Sequence, residues 1–173
     1  MEPTGPGIHF RIGRSVLSRP QGSGSQNEAL KEFEQELQID STNATAAYEI
    51  GEIYRKQGQL EKSEKFFTLA VEHYPDFAEA RIGLGRVLSE LKQPAKALPH
   101  LQAATQLSPE NEVSHYQLAL VYKAIGKTTE QQREFKEFQR MREQRLKQLG
   151  RAQPPSYKPA DVTKQELGPE LAQ

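Results

Sequence analysis

Four histidines, His9, His73, His100 and His115, are the side chains best suited to hold a metal or move a proton. A zinc centre needs ligands at short loop or helical intervals, and a nucleophile needs a base held beside it. The histidines follow neither spacing, and none is joined in sequence to a carboxylate in a catalytic arrangement. Cysteine is absent, which removes disulfides and thiolate metal sites. Gly83-Leu84-Gly85 opens like a dinucleotide-binding loop, but Leu88 stands where the third glycine is needed and no strand precedes it. Gly22-Ser23-Gly24-Ser25 lacks the strand and helix that bracket a nucleophile elbow. These residues predict no catalytic, cofactor or metal site, and the protein is expected not to be an enzyme.

The elements that position side chains show a strong order. Tyr48-Glu49-Ile50-Gly51-Glu52-Ile53-Tyr54 is echoed by Ile82-Gly83-Leu84-Gly85-Arg86-Val87-Leu88 and by Tyr116-Gln117-Leu118-Ala119-Leu120-Val121-Tyr122, each 34 residues after the last. Ser63, Ala97 and Gln131 keep the same interval, as do Phe67, Leu101 and Phe135, and Ala70, Ala104 and Phe138. A period of this size means one helix-turn-helix unit stacked on copies of itself, because a lone unit cannot bury its apolar face. Gly51, Gly85 and Ala119 are small where two helices must approach closely. Pro75 and Pro109 lie just past a helical run, where a missing N–H and a fixed φ stop the helix.

This pattern resembles the tetratricopeptide repeat over roughly residues 6–148. The resemblance implies an all-α, right-handed superhelical solenoid of stacked antiparallel helix pairs, about four units long. The units are expected at about 6–43, 44–77, 78–111 and 112–149, after a short segment 1–5 and before a tail at 150–173. The first unit is irregular: His9-Phe10-Arg11-Ile12-Gly13-Arg14 resembles the first-helix pattern, yet Gly13 precedes Gly51 by 38 residues. The extra residues fit the Gly/Ser-rich loop Ser18 to Ser25, after which Ala29, Leu30, Phe33 and Leu37 restore helical spacing.

The 173-residue chain is long enough for one continuous core, and its 27% charged and 35% apolar composition suits a two-layer solenoid. Lys plus Arg equals Asp plus Glu at 23 each, so no net field steers the chain to nucleic acid or an anionic membrane. No stretch is apolar enough to span a membrane, and residues after Met1 lack a secretory signal. A soluble, cytoplasmic protein is expected, with export the alternative if the chain is a fragment that has lost its leader. At the other end, Gln131 and Phe138 replace small residues and mark the last unit of the stack. In that unit's long second helix, Phe135, Phe138, Leu146 and Leu149 are expected to face inward. Arg133 with Glu137, and Glu143 with Lys147, are spaced for i,i+4 pairs. Pro154, Pro155 and Pro159 read as a largely disordered tail in which Thr163 and Glu166 can cap a turn.

Some positions depart from the repeat. Glu36 stands where Ala70 and Ala104 stand later, and so either needs a partner, expected to be Arg55 or Tyr48, or displaces the first interface. Pro99 falls inside a helix that begins near Pro94 and is expected to bend it. Ala47 and Arg81 replace an aromatic residue usual near the start of a unit; His9 and His115 share that place and are expected to pack there.

The family builds its concave face from the first helices. By that resemblance the face is formed here by the row Phe10, Tyr48, Ile82 and Tyr116. One turn on lie Arg14, Glu52, Arg86 and Leu120, and beyond them Leu17, Arg55, Ser89 and Lys123, with Glu49, Glu90 and Gln117 nearby. An apolar row edged by charges suits an extended segment or helix of a partner. A plainer account has the tyrosines packing between helices and Arg14, Glu52 and Arg86 pairing as a ladder. The clamp by which some members of this family hold chaperone C-terminal carboxylates is not reproduced. Its places fall on Phe10, Arg14, Glu49, Glu79 and Gly83, or on Tyr48, Glu52, Gly83, Val113 and Gln117.

The expected function is therefore a noncatalytic protein-protein interaction module, an adaptor or scaffold. The alternative is a structural or self-assembling segment of a larger protein or complex, which includes an appendage to an enzyme. A protein or peptide is the expected partner; nucleic acid, membrane and chaperone tails are not.

Overall fold

The computed structural model describes residues 5–19 and 25–150, which contain helices and turns and no strand. In order these are α1 (Ile8–Leu17), α2 (Ser25–Ile39), α3 (Ala44–Lys56), α4 (Leu60–His73), α5 (Ala78–Glu90), α6 (Pro94–Leu107), α7 (Glu112–Ala124) and α8 (Thr128–Gln148). Each odd helix packs on the even helix that follows it, and each pair leans on the next through α2 with α3, α4 with α5 and α6 with α7. Successive odd helices also touch, α3 with α5 and α5 with α7, which puts them on the inner side of the curve and the even helices outside. Residues 1–4, most of the Gly/Ser-rich loop, and the tail after Gly150 with its Thr163–Glu166 turn lie outside the described residues.

Chain reversals repeat with the period of the helices. Gly58, Lys92 and Gly126 are all left-handed, at φ 73°, 62° and 77°. The amides that follow them bond back to Tyr54, Leu88 and Tyr122 carbonyls at 2.9, 2.8 and 2.9 Å. This is the Schellman closure of a helix C-terminus, in which orphan carbonyls find donors and glycine avoids a Cβ clash. At the opposite reversals, Asn43 and Asn111 cap α3 and α7 by accepting amide hydrogens from Ala46 and from Val113 and Ser114. Phe77 holds the same register without a capping oxygen and lays its ring against Tyr48, centroids 5.1 Å apart.

Small residues admit large ones. A Cβ on Gly51 would lie 2.9 Å from the Phe67 ring, and one on Gly85 would lie 2.5 Å from Leu101. Both partners are fully buried. Ser63, equally buried, donates its hydroxyl to the Gly51 carbonyl at 2.7 Å, binding α4 to α3 where the helices come closest. Ala70 meets Ala47 and Ala80 in a separate small cluster between units.

Glu36 corrects the expectation for the first unit. It is fully buried, yet neither Arg55 nor Tyr48 reaches it. Its carboxylate accepts the amides of Gly7 at 2.6 Å and Phe10 at 3.2 Å, and the side-chain N–H of Asn43 at 3.1 Å. A carboxylate at the positive end of α1 satisfies donors that have no partner within the helix.

In α6, Pro94 takes the first helical position and the helix continues through Pro99 to Leu107. In α8, Met141 is buried while Leu149 is 58% exposed, so the inward face stops short of Leu149. Glu143 and Lys147 pair at 2.8 Å as expected. Arg133 instead pairs with Glu134, and Glu137 with Arg140.

Candidate functional site

Three odd helices meet around a hollow of about 190 Å3 on the concave face. Tyr48 and Glu52 come from α3, Glu79, Ile82, Gly83 and Arg86 from α5, and Asn111 and Val113 from the start of α7. Ile82 is almost fully buried. Tyr48 packs its ring between Phe67 and Phe77, at 5.8 and 5.1 Å, and borders the hollow.

Charge in this face is partly self-satisfied. Arg14 bonds to the buried Glu49, and Arg55 forks onto both oxygens of Glu52 at 3.3 and 2.9 Å. That hydrogen bond to Glu52 holds the Arg55 guanidinium above its ordinary pKa. The ladder of Arg14, Glu52 and Arg86 does not form, because these pairs remove Glu52 from Arg86. Half-buried Arg86 has no hydrogen bond or ion pair among the described residues. Burial first, and then the field of Glu52, Glu49 and Glu79, push the Tyr48 hydroxyl up to about 12. It therefore stays a proton donor at neutral pH.

Of the twelve residues anticipated for the groove, Tyr48, Glu52, Ile82 and Arg86 share the hollow. Glu49 and Arg55 stand behind it as ion-pair partners of Arg14 and Glu52. Phe10 packs its ring against Phe33 at 5.7 Å within the first unit, and Tyr116 packs against Phe138 at 5.1 Å in the fourth, both pairs tilted. Gln117 is half-buried, and Glu90 and Lys123 are exposed on the same inner helices. Asn111 and Val113 were not among the twelve, since they belong to a helix start that reaches the groove only after α7 leans on α5. Tyr48, Glu52, Gly83 and Val113 occupy clamp-equivalent places, and none is a cation.

A family model described as Tetratricopeptide repeat matches residues 42–110. The chain is a tetratricopeptide-repeat protein. Superkiller complex protein 3 of Mus musculus is 29% identical over 120 residues, covering 69% of this tetratricopeptide-repeat chain. The chain spans about 8% of the length of the curated relatives it matches. In fold it is similar to the crystal structure of MamA, with a TM-score of 0.73, 19% identity and coverage of 84% of this chain and 83% of that one. YrrB, a TPR protein with an unusual peptide-binding site, gives a TM-score of 0.69 at 24% identity, over 77% of this chain and 66% of that one. The tetratricopeptide units thus form the right-handed solenoid, and no described helix is long and apolar enough to cross a membrane.

One histidine register runs through this tetratricopeptide stack. His9, Ala47, Arg81 and His115 hold one place on the odd helices, and Glu32, Phe66, His100 and Glu134 the facing place on the even ones. His9 meets Glu32 at 2.8 Å and His115 meets Glu134 at 2.7 Å, so partly buried pairs join the two helices of the first and fourth units. His115 also reaches the Pro109 carbonyl at 3.0 Å. Both histidines thus hold carboxylates as well as packing, and these lie 23 and 19 residues away, beyond what spacing within one helix reveals.

Proposed function

We propose that this chain is a noncatalytic interaction module whose concave groove holds a short segment, extended or helical, of a protein partner. The carrying observation is Arg86, a half-buried guanidinium without a partner among the described residues, set in the hollow beside Ile82 and Val113. An unpaired, partly desolvated cation is complemented by an incoming carboxylate, and the Tyr48 hydroxyl adds a second donor nearby. An apolar side chain of the partner covers Ile82 and Val113, and Glu79 favours a basic or amide group alongside. YrrB, a neighbour in fold, has a peptide-binding site of its own, which supports this class of partner.

The test compares proteins captured from source lysate by the intact chain and by Arg86→Glu, after circular dichroism confirms that both are folded. A captured protein must then bind the intact chain directly, roughly tenfold more tightly than the variant. Equal binding by both removes Arg86 and the groove from the function.

A second reading, self-association, is favoured by one observation: Tyr116 and Leu120 are 37% and 42% exposed in the last unit, beside Phe138. Sedimentation of the intact chain over a range of concentrations distinguishes it. Association that Leu120→Glu abolishes and Arg86→Glu leaves alone supports end-to-end assembly.

A further inference from the structure

On the outer side, α4 and α6 part over α5 and leave a cleft of about 450 Å3. Leu84 and Leu88 of α5, both nearly fully buried, give it an apolar floor. Its walls differ in charge: α4 contributes Glu64 and Glu72, while Arg81 of α5 and Lys96 and His100 of α6 supply the basic side.

Internal symmetry shows what this basic side lacks. In the first and fourth units a histidine of the odd helix meets a glutamate of the even helix. In the third unit those two places hold Arg81 and His100, so the carboxylate is missing and two hydrogen-bond donors face each other. Arg81 gives its Nε–H to the Pro75 carbonyl at 2.6 Å, which leaves its terminal N–H groups without partners among the described residues. Lys96 likewise has no ion pair among them.

His100 adds a second sign. Its Nδ1 is buried with no hydrogen-bond partner among the described residues. An orphaned buried N–H costs more than an orphaned lone pair, so the proton belongs on Nε2, at the ring edge that remains accessible. Burial, and then the field of Arg81, hold the ring's pKa below its ordinary value, so at neutral pH His100 is an uncharged donor.

We propose that this cleft is a second docking site, which takes a peptide segment of a protein partner carrying one acidic side chain beside an apolar one. The carboxylate supplies the missing acceptor for Arg81, His100 Nε2 and Lys96, and the apolar neighbour covers Leu84 and Leu88. Glu64 and Glu72 repel a dense polyanion, so charge complementarity favours a single carboxylate on an apolar body over a phosphate or nucleic acid. The site is separate from the concave groove and does not depend on what that groove binds.

The test uses the full chain, isotope-labelled, with histidine ring signals assigned from single variants. The probes are blocked hexapeptides with one Glu and one Phe at varied separations among alanines, and the same set with Gln for Glu. The Glu peptides are expected to shift the His100 ring signals saturably. The Gln set, and the Glu set on Arg81→Gln or on His100→Phe, bind roughly tenfold more weakly. Arg86→Ala, in the opposite face, leaves the affinity unchanged. The proposal is overturned if no peptide saturates the signal below about 10 mM, if Gln and Glu sets bind alike, or if both cleft variants bind normally. Equal affinity for 3-phenylpropanoate overturns the peptide assignment, because it makes the ligand a free acid.

Discussion

The Phe67 ring occupies the space in which Gly83 would carry a Cβ: that atom would lie 2.5 Å from Cε1 and 2.6 Å from Cζ. Phe67 belongs to α4 and Gly83 to α5, so this contact sets how closely the second and third units approach. Phe67 is fully buried and cannot swing aside into solvent. Gly83→Ala removes a helix-interior glycine, a gain of up to about 1 kcal/mol, but the overlap is the larger effect. A net destabilisation of about 1–3 kcal/mol is expected from urea unfolding. A stabilised variant would show that the units part without cost.

Glu36→Gln tests the cap on α1. The neutral amide retains one acceptor and loses the charge that suits the helix N-terminus. Stability should fall by about 1–3 kcal/mol, with the loss concentrated in the first unit. Hydrogen exchange reports this directly: amides of Phe10 and the turn after it exchange faster, while those of α5 keep their protection. Uniform loss across all helices contradicts a local cap.

Lys92 repeats the φ of Gly58 and Gly126 without being glycine, at 62° against 73° and 77°. Its Cβ sits in the region that L-residues avoid. Lys92→Gly should stabilise the chain by about 0.5–1 kcal/mol, after allowance for the freer unfolded chain. A shift of the denaturant midpoint to lower concentration would show that the lysine side chain contributes more than its backbone strain costs.

Tyr48 gives the fold a dependence on alkaline pH. Its hydroxyl ionises near 10 when unfolded and at about 12 when folded. Between those values the unfolded chain releases its proton first, so stability falls as pH rises through that window. Absorbance near 295 nm should show a tyrosine ionisation step at about 12, and Tyr48→Phe should remove both that step and part of the stability loss. A Tyr48 that ionises near 10 in the folded chain would mean the pocket is open to water and its carboxylates exert little field.

The repeat, with its helix-turn-helix units and the small residues that let helices meet, can be read from the chain alone. These are local signals, copied every 34 residues, and the small residues Gly51 and Gly85 marked the close approaches that Phe67 and Leu101 fill. Tyr48 with Ile82 and Glu52 with Arg86 share places in that register, and the resemblance to the family is what put those places on the inner surface. Which charges are satisfied depends instead on how the helices pack. Arg55 takes Glu52 on its own helix and Arg14 of α1 reaches Glu49 of α3, so of these three arginines Arg86 is the one without a carboxylate among the described residues. Glu36 found backbone amides rather than a cation, and the glutamates facing His9 and His115 came from the next helix. Such choices depend on which side chains point into the same few ångströms, and helical spacing fixes direction within one element but not distance between two.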